Sequence, residues 1–401
     1  MKRWAKVTLG ALAALAVLGG AGWLSLDREI RALVASLPTD TDILFWSDAQ
    51  RDAGFRMLDR LGWLVDSRVV SRGAGPVRAL PQGEPLALDF DLDAYLARQR
   101  VAALVVLVDG QVVLERYGLG FGPEGRWTSF SVAKSLTSTL VGAALQDGAI
   151  RNLDDKVSAY IPDLQGSAYD DVTVRQLLTM TSGVAWNEDY GDPQSDVARF
   201  NAHRPDAGVD ATVSYMRRLP REAPAGEKWR YKTGETNLLG VLVSSATGKP
   251  LAQYLSEKIW SRAGMEQDAT WLLGATGHEI SGCCIQAATR DMARFGLFVL
   301  DGGQIGAVQV VPEDWFALAG SKQADIGEPG RGYGFQWWTY DDGSFAAQGI
   351  FGQGIFIDPA RRLVIATNGN WPVASARAYW DGREALYAAV RAAVPVRADQ
   401  S

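Results

Sequence analysis

Ser131 and Lys134 stand three residues apart just ahead of a stretch that reads as helical, residues 136–145. Positions i and i+3 share a helix face, so a hydroxyl and an amine at this spacing can touch. A serine hydroxyl becomes a nucleophile only beside a base. Histidine is the usual base, yet the chain has only two, His203 and His278, both in polar segments that read as loops. Lysine is therefore the base expected for a serine nucleophile here. The other chemistry-bearing residues are sparse. Cys283 and Cys284 are neighbours, and adjacent Cα atoms lie about 3.8 Å apart, below the usual disulfide range. They are expected to be small buried residues rather than a bridge, with a redox switch as the alternative. Two cysteines and two histidines give no metal-ligand set, so no metal is expected.

The pair needs a scaffold. Alternating apolar residues around Asp109-Gly110 predict a hairpin over residues 101–108 and 112–117. The Ser131 helix follows it. Helical patterns then dominate to about residue 325, at 173–180, 235–246, 250–262 and 290–300. Strand patterns return at 334–340, 345–350, 354–357 and 363–367, and a last helix is expected over 375–393. Strands at both ends and helices between them predict an α/β (α+β) fold. Its mostly antiparallel sheet is flanked by helices, and a helical subdomain is inserted at about 150–325.

Three segments recur in an order that carries more information than the Ser-Lys pair. They are Ser131-Val132-Ala133-Lys134, then Tyr231 after Pro224-Ala225-Gly226-Glu227-Lys228-Trp229-Arg230, then Gln348-Gly349-Ile350-Phe351-Gly352-Gln353-Gly354. With Arg175-Gln176-Leu177-Leu178-Thr179-Met180-Thr181-Ser182-Gly183 and Ala293-Arg294-Phe295-Gly296, this order resembles the serine β-lactamase and penicillin-binding superfamily in its class C branch. That branch holds DD-peptidases, esterases and 6-aminohexanoate-dimer hydrolases. The resemblance spans about residues 96–393. It implies a β-lactamase/transpeptidase-like fold, with Ser131 as acylated nucleophile, Lys134 beneath it, and Tyr231 as base or proton relay. It also implies an oxyanion hole from the backbone amides of Ser131 and Ile350. Thr233 stands where relatives often have Asn or a small hydroxyl residue, and Gly349 lies in the third motif. Tyr190 is about as far past Ser131 as the substrate-covering tyrosine of amide-hydrolase relatives. Tyr190, Thr233 and Gly349 are thus the expected substrate-binding residues.

Two departures bear on substrate choice. Lys232-Thr233-Gly234 spells the third-motif triad of many relatives but precedes a helix, so it reads as coincidence, with Lys232 solvated or at the pocket rim. The third-motif site itself begins at Ala347, whose methyl offers a ligand carboxylate nothing; Gln348 points away if Ala347 faces the pocket. Lys232 or an arginine such as Arg331 would then have to bind any carboxylate. Glu188 and Asp189 are expected to be solvated or capping.

The chain has 401 residues, 47% of them hydrophobic, with a net charge of −6. Basic residues cluster only at the extreme N-terminus, which leaves nucleic-acid binding without electrostatic support. Lys2, Arg3 and Lys6 precede the uncharged run 7–26, so residues 1–26 are expected to be a signal peptide or a membrane anchor. Residues 27–95 read as an N-terminal extension with one amphipathic helix over 48–64, and 96–395 as the hydrolase domain. The expected protein is an exported enzyme, periplasmic or anchored to the inner membrane facing the periplasm. It cleaves amide or ester bonds in small-molecule or peptide-like substrates through an acyl-enzyme, and no cofactor is implied. A DD-peptidase or β-lactamase is the nearest alternative. A non-catalytic envelope protein binding through the same fold is the alternative from another class.

Overall fold

Residues 101–108 are apolar throughout, and a strand of that kind belongs in a sheet covered on both faces. The computed structural model describes residues 19–25, 28–200 and 202–397. In it, Val101–Val108 lies inside a seven-stranded sheet and is buried up to its last residue. Its neighbours are Gln111–Tyr117, joined through Asp109-Gly110 with both residues at positive φ, and Leu363–Gly369 from the far end of the chain. Outward from Leu363–Gly369 follow Gly354–Asp358, Phe345–Gln348, Trp338–Tyr340 and Arg331–Tyr333, every pairing antiparallel.

The period-two alternation of these strands sorts their side chains into two cores. Val105, Leu107, Ala347, Ile355, Val364 and Ala366 face the larger core, shared with the Val132–Gln146 and Thr289–Leu300 helices. Leu104, Val106, Ala346, Phe356 and Ile365 face Leu386, Tyr387 and Val390 of the last helix, Arg377–Ala393. The Ala293-Arg294-Phe295-Gly296 motif serves this packing. A Cβ at Gly296 would meet a Val364 methyl at 2.5 Å, so only glycine allows that helix so close to the sheet.

Several expectations shift at this level. The helix expected over 48–64 is a short one, Asp48–Gly54, capped by Ser47 and Gln50; Leu58–Arg60 is a separate 3-10 turn. The helix expected over 250–262 is α-helical over Leu251–Leu255 and continues as a π turn over Ser256–Trp260. The strand expected over 334–340 is split: Arg331–Tyr333 and Trp338–Tyr340 flank a bend at Gln336, which lies at φ 63°. A second sheet of four short antiparallel strands was not foreseen. It orders Ser67–Val70, Ala269–Leu272, Ile285–Ala287 and Trp127–Thr128 side by side. Strands of two to four residues carry too little periodicity to be read from sequence.

The chain divides into two compact units at Phe55/Arg56. Residues 56–95, grouped with the extension on sequence, belong to the second unit and supply the Ser67–Val70 strand. The expected leader lies mostly outside the described residues, and no helix among those described is long and apolar enough to cross a membrane.

Candidate active site

The turn that presents Ser131 is held from two sides. On one, Ser129 N–H donates to the Ile285 carbonyl (2.8 Å) and Ile285 N–H to Ser129 Oγ (3.0 Å). The small second sheet therefore anchors the turn. On the other, the end of the Phe345–Gln348 strand approaches it at Gly349, where a Cβ would lie 2.9 Å from the Ser129 carbonyl oxygen. Phe130 takes φ 42°, a left-handed conformation unusual for a bulky residue, and Ser131 follows at the N-cap of the Val132–Gln146 helix. Strain of this kind gathers at functional sites.

Lys134 sits one turn into that helix and is 1% exposed. Its Nζ donates to Ser131 Oγ (3.0 Å), Thr233 Oγ1 (2.9 Å) and the Gly282 carbonyl (2.7 Å). Burial disfavours the ammonium and lowers the lysine pKa to about 8, while the Glu188 carboxylate acts in the opposite sense. Tyr231 reaches the same point just before the Thr233–Thr247 helix. Its ring stacks on Trp338, meets Tyr333 edge-on, and lies 5.2 Å from Lys134 Nζ. Burial, then Glu188, push its phenol far above the ordinary range, with Ser131 acting the other way. The tyrosinate is thus disfavoured, and the lysine is the group tuned toward neutrality.

The place of Glu188 in the cleft is a finding that the sequence reading missed. It caps the start of the Thr233–Thr247 helix, as one of the two expectations had it, but from inside the cleft and with the Lys134 network in reach. Its carboxylate accepts from Thr233 N–H (2.9 Å), the Thr233 hydroxyl, Tyr190 OH (2.8 Å) and the Trp186 indole. Thr233 therefore joins Lys134 to Glu188 in a chain of hydrogen bonds and stands behind the cleft wall. Nothing in the pattern of an acidic loop marks one carboxylate as inward-facing.

The cleft in front of Ser131 encloses about 320 Å³. Glu188, Tyr190, Tyr231, Gln348, Gly349 and Ile350 line it, with Trp338, Arg331 and Arg383. Ser131, Lys134 and Tyr231 are brought together as expected, and Tyr190, Gly349 and Ile350 share their cleft. Among the described residues, no backbone bond uses the N–H of Ser131 or of Ile350. Two expectations need correction. Ala347 does not face the cleft; it packs in the larger core, and the pleat turns Gln348 outward instead. Lys232 is not at the rim; it is fully buried, 3.1 Å from Glu235, and donates to Ser182 Oγ (3.0 Å).

Cys283 and Cys284, just after Gly282, are joined as a vicinal disulfide rather than lying as separate thiols. The left-handed φ of 80° at Cys284 turns the backbone between them. Neither histidine enters the site. His203 Nε2 lies 2.9 Å from Ser214 Oγ, and His278 Nδ1 lies 2.7 Å from Asp210. No cluster of metal-ligating side chains occurs among the described residues.

Residues 91–389 match the β-lactamase family. A 6-aminohexanoate-dimer hydrolase from Paenarthrobacter ureafaciens is 32% identical over 342 residues, covering 80% of this chain and 86% of that protein. A solved Bacillus anthracis protein, provisionally named a 6-aminohexanoate-dimer hydrolase, superposes with a TM-score of 0.76 at 24% identity, over 87% of this chain and 95% of its own. A family VIII carboxylesterase superposes with a TM-score of 0.57 at 18% identity, over 77% and 99%. Sequence and fold agree: the chain belongs to the β-lactamase family of serine hydrolases.

Proposed function

We propose that this protein hydrolyses amide or ester bonds through an acyl-enzyme on Ser131. The observation that carries this reading is the 3.0 Å contact between Ser131 Oγ and a buried Lys134 whose pKa is lowered to about 8. The Thr233 hydroxyl lies between the lysine and Glu188, so the carboxylate holds the amine in place and favours its ammonium, and the free base forms by loss of a proton to solvent. Neutral Lys134 then takes the Ser131 proton as the oxygen attacks the carbonyl. The N–H groups of Ser131 and Ile350 stabilise the oxyanion. Tyr231, protonated, gives its proton to the leaving nitrogen or oxygen and is recharged from Lys134. Water repeats the cycle on the acyl-enzyme in reverse.

The relative named for the 6-aminohexanoate dimer makes a short linear amide the first substrate to try, beside p-nitrophenyl esters. Intact-mass analysis after exposure to a fluorophosphonate tests the reading: one adduct is expected, mapped to Ser131 and absent from Ser131→Ala. Absence of labelling and of turnover would leave the fold as a binding scaffold. Rapid acylation and release of a penicillin would move the assignment to β-lactamase, and slow release to a penicillin-binding peptidase. The proposal includes export, which rests on the basic start and the uncharged run 7–26.

A further inference from the structure

Three arginines of the described chain are buried to 4% exposure or less: Arg51, Arg294 and Arg383. Two of them have carboxylate partners, Arg51 with Asp48 and Arg294 with Asp291 and Glu266. Arg383 has none within ion-pair distance among the described residues. Its Nη2 donates to the neutral Gln348 Oε1 at 2.6 Å, its guanidinium lies 5.4 Å from the Trp371 ring centroid, and its buried Nε has no partner. The adjacent Glu384 is engaged elsewhere, accepting from Tyr340 OH at 2.8 Å. Arginine stays charged at any ordinary pH, and burying a charge without a counter-ion is costly. The cation is also not sealed in the core. Arg383 lines the same cleft as Ser131 and is tied to Gln348, two residues before Ile350.

We propose that Arg383 is the specificity-determining residue of this site, and that it receives a carboxylate carried by the substrate. The inference rests on the hydrolase reading above. A carboxylate would supply the missing counter-ion and engage guanidinium donors that now have none, in the planar geometry arginine favours. Gln348 holds the guanidinium through Oε1, while its own Nε2 is spent on Tyr340 OH at 3.0 Å. Arg331, the other guanidinium of the cleft, differs: it already faces Glu328 at 3.3 Å. Ala347 therefore does not remove anion recognition from this enzyme. The function moves from the strand to the last helix.

The experiment compares kcat/KM within two matched ester pairs. Mono-p-nitrophenyl glutarate against p-nitrophenyl butyrate places the carboxylate on the acyl side. The butyrate ester of 4-hydroxyphenylacetate against phenyl butyrate places it on the leaving side. The wild-type enzyme is expected to prefer the carboxylate in at least one pair by about ten- to a hundredfold. The ratio should collapse toward one in Arg383→Gln and fall partway in Arg383→Lys, with the change in KM rather than kcat. No preference in either pair, or a preference that survives Arg383→Gln, overturns the proposal. If Arg383→Gln does not fold, wild-type protein decides the same question: glutarate should inhibit butyrate turnover competitively, and more weakly as NaCl rises. If no ester is turned over at all, the hydrolase reading fails separately. Glutarate would then still be expected to raise the melting temperature of wild-type protein but not of Arg383→Lys to the same degree, and no shift would overturn anion binding.

Discussion

Lys134 and Glu188 set the acid–base behaviour of the site between them. A lysine with a pKa of about 8 is neutral in roughly one molecule in ten at pH 7. In the proposed mechanism the free base is the reactive form, so kcat/KM is expected to rise with pH and level off above about 8. Glu188 stabilises the ammonium, so Glu188→Gln should move that inflection to lower pH even if the maximal rate falls. A stopped pH-rate profile on a p-nitrophenyl ester reads both. An inflection that stays in place would mean that Glu188 only holds the loop. Lys134→Ala and Tyr231→Phe should each cut kcat by orders of magnitude, and the double variant should be little worse than either, because the groups work as a unit. Losses that multiply in full would show independent roles. Of these residues, the nearness of Ser131 and Lys134 was legible from their spacing, and that of Tyr231 from the resemblance. Glu188 was not, because a carboxylate two residues from a loop tyrosine looks the same in sequence whether it faces water or an amine.

The elements explain why some motifs recur without touching a substrate. The Arg175 to Gly183 motif opens with the short Val174–Leu178 helix, capped by Thr173 and Gln176. The carbonyls of Leu177 and Leu178 accept from Gln336 Nε2 at 3.0 and 2.9 Å. The same Gln336 accepts from Thr236 Oγ1 at 2.6 Å, and its carbonyl accepts from Ser135 Oγ at 2.7 Å. One residue thus joins the Ser131 helix, the Tyr231 helix and the motif helix. Gln336→Ala would leave the buried Thr236 hydroxyl without its acceptor and open a cavity, and would strip one donor each from the Leu177 and Leu178 carbonyls, which keep their backbone partners. A loss of about 2–4 kcal/mol in denaturant unfolding is expected; a loss within experimental error would show that water replaces the amide. Gly349→Ala tests the opposite kind of element contact. Its Cβ would push the strand end off the Ser129 carbonyl, so kcat should fall by about a hundredfold while the melting temperature changes little. Alternation along this strand was legible, but its phase was not. Both Ala346 and Ala347 are small and apolar, so only the packed helices decide which one is inward and that Gln348 meets the cleft.

At the scale of the whole molecule, the sheet built from both ends of the chain was readable, because long apolar runs and an Asp-Gly turn are strong signals. The second sheet and the division at Phe55 were not, since both depend on contacts between segments far apart in sequence. The leader is tested outside the fold. In a Gram-negative host, alkaline phosphatase fused after residue 30 should be active, and an inactive fusion would refute export. Recovery of the body in the soluble periplasmic fraction would show that the leader is cleaved.

The pairing of Val101–Val108 with Leu363–Gly369 has a consequence for the timing of synthesis. Val105 meets Ala366, so the centre of the sheet cannot close until the last strand has left the ribosome. Gly349, Ile350 and Arg383 arrive in the same late stretch. A nascent chain already carrying Ser131, Lys134 and Tyr231 therefore lacks the proposed oxyanion donor and the proposed anion site, and is expected to be inactive. Because the decisive strand comes last, the chain also stays unlocked through most of its translation.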